Sequence, residues 1–351
     1  MDINIKISPA QLRKYAKFQI LDHFLGREKA YKMTLNSRRK FYTELERSLK
    51  EQGLGKIIPV ERRANLSLEE FQREYVDGMK PVILEGAAKE WNCVKEWSLD
   101  YFKKLHGEDP IVMADQLKME NPYEVMTLAD LIDGIHKGTG KYYRFYPLLD
   151  KHPEHILDFD YKWLRERRNK GTLFEAFQVF MGGDNTVTPI HNANQCNLFT
   201  QVYGEKKWML YHPKHSPIVD PNPVRNVYRD GPAKMESGPF DPFNPDFSGP
   251  YKLYQYIDGY SVHLKPGDVL WNPPFYWHSV KNVGNSIGVG YRWLPPAYCF
   301  KNSKLYSFLD AFATNPPIWK AYKLYKQDIN LIHMAEHGQL DDFIQKQNKK
   351  K

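Results

Sequence analysis

Between Phe174 and Trp293 the chain consists largely of short runs of Val, Tyr, Phe and Trp, each cut by Gly, Pro or Asn. This punctuation is the strongest constraint on the fold. Runs this short, rich in β-branched and aromatic residues and bounded by turn formers, fit pleated strands better than helices. Phe174–Met181, Asn197–Tyr203, Lys207–Tyr211 and Ser286–Trp293 are therefore predicted strands, and Pro81–Leu84 reads as a short buried one. The Pro- and Gly-rich stretch Pro213–Pro250 is expected to be a long irregular loop, of the kind that serves as a lid or substrate wall. At 351 residues the chain has room for one large β-barrel domain with helical additions, or for two smaller domains.

The flanks follow a helical period. Ser8-Pro9 is a helix start, with Leu12, Tyr15, Phe18, Ile20, Phe24 and Leu25 at roughly helical spacing after it. A second helix is predicted over Ser37–Glu51, ending at Gly53, and a third over Ser67–Tyr75 with Ser67 and Glu70 as a capping box. Ser98–Leu105 and Thr127–His136 are helix-like, Lys141–Tyr146 strand-like, and helical patterning returns from Ser303. The expected division is a basic helical segment over 1–65, a mainly β domain over 66–298 and a helical region over 299–351.

Charge is uneven. Residues 1–65 carry 15 Lys and Arg against 7 Asp and Glu, which accounts for the whole net charge of +8. A basic segment suits nucleic acid, an acidic carrier domain or a phosphorylated ligand, or is simply the solvated face of a helix pair. It contains no zinc-finger or RNA-binding aromatic motif. Cys93, Cys196 and Cys299 are too few and too scattered for a disulfide framework or a zinc cluster. With no apolar run of membrane-spanning length and no apolar signal segment at Met1–Ala10, a cytoplasmic setting without a membrane partner is expected.

Two segments carry the chemistry. Thr188-Pro189-Ile190-His191-Asn192-Ala193 is followed by Asn197 and by QVYGEKKW, residues 201–208; PGDVLWNPPFYWH, residues 266–278, comes later. In this order the motifs resemble the JmjC oxygenases, with the asparaginyl-hydroxylase branch of cupin-like enzymes the most similar. The resemblance is best over Phe174–Trp293 and weaker back to Lys80–Leu84. It implies a double-stranded β-helix, a cupin jelly roll, flanked by N-terminal and C-terminal helices. It also implies Fe(II), 2-oxoglutarate and O2 as cofactors. His191 and His278 fall at the metal-ligand positions, where neutral imidazoles suit Fe(II) and leave sites open for cosubstrate and O2. Lys206 falls at the position that binds the distal carboxylate of 2-oxoglutarate, with Thr188, Tyr143 and Asn197 beside it.

The departure is Ala193. The family has Asp or Glu two residues after the first His, and alanine cannot ligate a metal. Iron/2-oxoglutarate halogenases make the same replacement, so the leading expectation is radical chlorination, with chloride in the slot at Ala193 and Asn192 and Asn194 beside it. Alternatives are a hydroxylase using two His ligands, a third ligand from Asp184 or Asn194, and an inactive cupin that only binds. The substrate is not readable: small-molecule, peptide, nucleotide and carrier-bound substrates all remain open. Trp208, Tyr276 and Tyr291 are candidates to line the barrel mouth, Arg225 and Arg229 to grip an anion. The helices over Ser303–Gln347 are candidates to pair two chains as a homodimer.

Overall fold

The computed structural model describes residues 3–114, 123–146, 148–221, 228–231 and 238–313, with 339, 341–342 and 345–346 in the tail. Two helices open the chain. α1 (Pro9–Leu25) starts where the sequence placed it: Ser8 Oγ accepts from Gln11 N at 3.2 Å, and Gln11 Oε1 accepts from Ser8 N at 2.8 Å. Gly26, at φ 82°, turns the chain into α2 (Arg27–Gln52). α2 begins ten residues before the expected Ser37, because Arg27–Asn36 contains no Gly or Pro and its Ala30 is buried. The two helices are joined by a buried ion pair, Arg38 to Asp22 at 2.5 Å, with the guanidinium 4.6 Å over the Phe18 ring. Tyr15, Phe18, Phe41, Leu45 and Leu49 then pack on Tyr211, Tyr254 and Trp277. The basic segment is thus a helix pair docked on the β domain through its apolar face.

The strands are β1 (Ile57–Pro59), β2 (Arg62–Arg63), β3 (Val82–Leu84), β4 (Pro110–Ala114), β5 (Tyr123–Thr127), β6 (Tyr142–Tyr146), β7 (Glu175–Gly182), β8 (Val187–Ala193), β9 (Cys196–Tyr211), β10 (Tyr228–Asp230), β11 (Gly259–Leu264), β12 (Val269–Asn272) and β13 (Trp277–Trp293). β4 and β5 pair alone; the other 11 form one sheet. Its backbone is the long antiparallel pair β9 and β13. The two runs predicted at 197–203 and 207–211 are one strand, because Gly204, at φ 62°, passes the chain through a bend that would strain a side chain.

Both long strands change partners at mid-length. The first half of β13 pairs with β8 and the second with β7; β9 pairs with β12 over 197–200 and with β11 over 206–210. Register shifts between Val283 and Gly288 add to the turn. Two sheet faces sharing two bent strands make a jelly roll, the mainly β architecture with helical additions that the motifs implied. Phe180, Phe199, Trp208, Leu210, Leu264, Leu270 and Val280 fill one face. Trp271, Trp293, Tyr291, Val179 and Met181 pack the other against the helices over 68–76, 99–106 and 128–136. Ser67 and Glu70 form the expected capping box. The stretch Pro213–Pro250 is not wholly irregular: it holds a helical turn at Ser216–Val219 and β10, which adds to the edge of β8. Among the described residues, no helix is long and apolar enough to cross a membrane.

Candidate functional site

His191 on β8 and His278 on β13 are direct cross-strand partners, with ring centroids 4.1 Å apart. β13 carries His278, Val280 and Asn282 on one face by simple alternation. β8 does not alternate simply. His191 pairs with His278 but Thr188 pairs with Val280, so three steps on β8 match two on β13. This bulge at Pro189-Ile190 puts Thr188 on the same face as His191. Each imidazole is aimed by its own backbone: His191 Nδ1 lies 2.9 Å from Pro189 O, and His278 Nδ1 lies 2.8 Å from Tyr276 O. A carbonyl only accepts, so both rings carry the proton on Nδ1 and present a bare Nε2. Burial pushes His191 down to about 4, and pushes His278 well down too, helped by the neighbouring imidazole. Two neutral imidazoles need shed no proton to take a metal. Trp208 stacks on His278 at 5.4 Å and fixes its plane.

Lys206 sits on the same inner face, in register with Asn282. It is fully buried. Its Nζ donates to Asn282 Oδ1 and, at 2.7 Å, to Ser286 Oγ. No carboxylate pairs with it among the described residues, and burial alone lowers it to about 7. Gly288 makes the room: a Cβ there would lie 2.4 Å from the Phe199 ring and 3.0 Å from Lys206 Cε. A buried lysine without a counter-ion is costly, and an anionic ligand relieves that cost.

The sequence profile of the cupin-like domain family matches residues 68–297. Lysine-specific demethylase 8 of Danio rerio is 30% identical over 239 residues, covering 65% of this chain and 56% of that protein. The Xenopus tropicalis protein of the same name is 28% identical, covering 65% and 51%. The human bifunctional peptidase and (3S)-lysyl hydroxylase JMJD7 is 23% identical, covering 66% and 83%. The chain belongs to the cupin-like JmjC oxygenase family. It spans about half the length of the two demethylases. Fe(II), 2-oxoglutarate and O2 are the cofactors of this family, and the relatives' names speak of demethylation and hydroxylation, not halogenation.

The residues fit a JmjC cosubstrate. Asn197 Oδ1 and Nδ2 and Trp208 Nε1 are buried with no hydrogen-bond partner, a concentration that folded proteins avoid unless a ligand completes it. The tyrosine differs from expectation. Tyr142, not Tyr143, bonds Thr188 and holds its ring 5.5 Å from Lys206 Nζ, whereas Tyr143 packs against the helix-side core. Alternation on β6 sends neighbouring side chains to opposite faces, and the short local match could not choose between them.

Asn192 and Asn194 turn away from the histidines. Asn192 Nδ2 lies 3.4 Å from Phe275 O, and the Asn194 side chain bonds Asp310. Alternation on β8 sends Asn192 to the face opposite His191 and Ala193, and the bond to Asp310 draws Asn194, in the bend after β8, away from that face, so neither flanks a halide at Ala193. Asp184 closes the β7–β8 turn, accepting from Gly284 N at 2.7 Å and from Asn185 Nδ2 at 2.8 Å, so its carboxylate is already engaged. Arg229 is locked to Asp310 beneath the Tyr306 ring and is not an anion grip; Arg225 lies outside the described residues. Of the three aromatic candidates, Trp208 stacks on His278. Tyr291 donates to Glu175 at 2.6 Å, and Tyr276 donates to Met79 O at 3.1 Å.

The sequence reading passed over Asn282, Ser286 and Asp230. Asn282 was findable by counting alternate residues from His278. Asp230 was not, because only the pairing of β10 with β8 sets it opposite His191, and Tyr228 opposite Ala193. Burial raises the Asp230 carboxyl, while Arg144 pulls it down.

Proposed function

We propose that this chain is a hydroxylase that uses two imidazoles, His191 and His278, to hold Fe(II), and that it acts on a peptidyl side chain. The observation that carries the reading is Lys206, a buried cation without a carboxylate partner on the same face as two bare imidazole nitrogens. When bound, Fe(II) with 2-oxoglutarate supplies the oxidising chemistry that inserts oxygen into an unactivated C–H bond.

The chain's own residues prepare that chemistry. Lys206, with Tyr142 and Thr188 beside it, binds the distal carboxylate. Asn197 supplies a donor and an acceptor to the same molecule. Phe180, Phe199 and Val280 keep water from the space between. Tyr228 and Asp230 stand on the mouth side of the histidines, where a substrate side chain enters. Asp230 suits a cationic side chain, in keeping with the lysine named in the relatives' activities.

C–H halogenation is a second reading, favoured by one observation: Ala193 is buried beside a pair of histidines that feels the positive field of Arg292, and in His191 of Arg144 as well. Anaerobic optical titration with Fe(II) and 2-oxoglutarate, with and without chloride, tests both. A charge-transfer band indifferent to chloride, followed by succinate release on admitting O2 and gain of oxygen by a lysine-containing peptide, is expected. A band that moves with chloride would transfer the case to halogenation. No band and no succinate would refute an oxygenase.

A further inference from the structure

Outside the barrel, three histidines converge where the helix Leu99–His106 ends against the 3₁₀ turn Pro153–Asp158. We propose that His106, His152 and Glu154 form a second divalent-metal site, of the zinc type, separate from the barrel histidines. Each offers a ligand atom, and these atoms lie within 4.8 Å of one another. Two imidazoles and a carboxylate are a donor set that Zn(II) takes readily.

The surrounding groups are arranged as metal-site supports are. His152 Nε2 lies 2.9 Å from Asp109 Oδ2, so this nitrogen donates and Nδ1 is left bare. That bare nitrogen is 3.9 Å from Glu154 Oε1. A lone pair and a carboxylate oxygen repel at that distance unless a proton or a metal cation stands between them. Asp109 is itself held by Tyr146, whose hydroxyl donates to it at 2.8 Å. A carboxylate behind a ligating histidine fixes the tautomer and strengthens the ligand.

The same logic repeats at His155. Its Nδ1 is 2.8 Å from Asp158 Oδ2, which Trp97 Nε1 holds at 2.9 Å. This leaves His155 Nε2 as the acceptor of the 2.8 Å contact from His106 Nε2, a fourth nitrogen at the rim of the site, and an ion bound through His106 Nε2 would displace the proton of that bond. The rings of His106 and His152 stack at 3.5 Å and must tilt apart to face one ion. Glu154 is exposed, which gives the ion a route in and the carboxylate freedom to close on it. A proton shared by His152 between Asp109 and Glu154 is the competing account, and it predicts no metal.

The test uses the full chain carrying His191→Ala and His278→Ala, so that only the second site remains, with Co(II) as the optical probe and Zn(II) measured by equilibrium dialysis. One ion per chain is expected, with visible d–d bands of low-symmetry Co(II). Glu154→Gln and His152→Gln should each weaken binding at least tenfold. The unmodified chain, measured in parallel in case the double variant folds poorly, should bind two ions, falling to one with Glu154→Gln and His152→Gln combined. No ion in the double variant together with one in the unmodified chain would overturn the proposal. So would affinities that ignore both substitutions at the second site.

Discussion

Lys206→Met separates what the lysine costs from what it binds. The side chain is fully buried, and burial alone takes it from its ordinary 10.5 to about 7. At about 1.4 kcal/mol per pKa unit, carrying this lysine into the folded state costs about 4 kcal/mol at pH 7. The sign runs opposite to that of a salt-bridged lysine. The folded pKa is depressed, so the unfolded chain binds the extra proton. The penalty is full below pH 7, shrinks as pH rises, and vanishes near 10.5. Methionine has similar length and no charge, and Asn282 Oδ1 keeps the hydroxyl of Ser286 as a donor at 2.9 Å. Urea denaturation of the cosubstrate-free variant at pH 7 should therefore show a gain of a few kcal/mol over the unmodified chain, a gain that fades toward pH 10. The same variant should lose 2-oxoglutarate binding, which is the reason for retaining the lysine. In the unmodified chain, the incoming carboxylate raises Lys206 again. Calorimetric titration in buffers of different ionisation enthalpy should then show uptake of about half a proton at pH 7, nearing one at pH 8. A destabilised Lys206→Met that still binds 2-oxoglutarate, or binding without proton uptake, would refute the reasoning.

Three further outcomes follow from named contacts. Tyr142→Phe removes the bond to Thr188 and should weaken 2-oxoglutarate binding about threefold to tenfold, whereas Tyr143→Phe should leave it unchanged, both read by titration. Ala193→Asp places a carboxylate two residues from His191 and should tighten Mn(II) or Fe(II) binding at least tenfold, measured by isothermal titration; weaker binding would mean the slot is closed to a side chain. Asp22→Ala strands the buried guanidinium of Arg38 and should cost about 3–5 kcal/mol in urea denaturation, with cosubstrate affinity unaffected.

Part of the site was legible because β13 alternates simply over His278–Asn282 and Lys206 is set in register with Asn282. His278, and the inward-facing lysine Lys206 rather than Lys207, follow from motif and period alone. The helix caps at Ser8 and Ser67 were legible for a related reason: a cap is a local hydrogen-bond problem that nearby residues solve. What failed was non-local. The union of two predicted runs into β9 depends on a glycine bend whose value appears only once β13 lies alongside. The choice of Tyr142 over Tyr143 depends on which face of β6 meets Lys206.

Two of the departures from expectation meet at one place. Ala193 removes the carboxylate that the family carries on β8, and β10, hidden in a stretch that reads as irregular loop, lies directly against that part of β8. Pairing in register puts Tyr228 over Ala193 and Asp230 over His191, on the same face as the His191 imidazole, while Arg229 between them turns outward to Asp310. An alanine at this position leaves room above the histidines, while β10 pairs along the edge of β8 beside them. On the proposed reading, what enters above His191 is set by Tyr228 and Asp230, which the motif does not contain, as much as by the missing carboxylate.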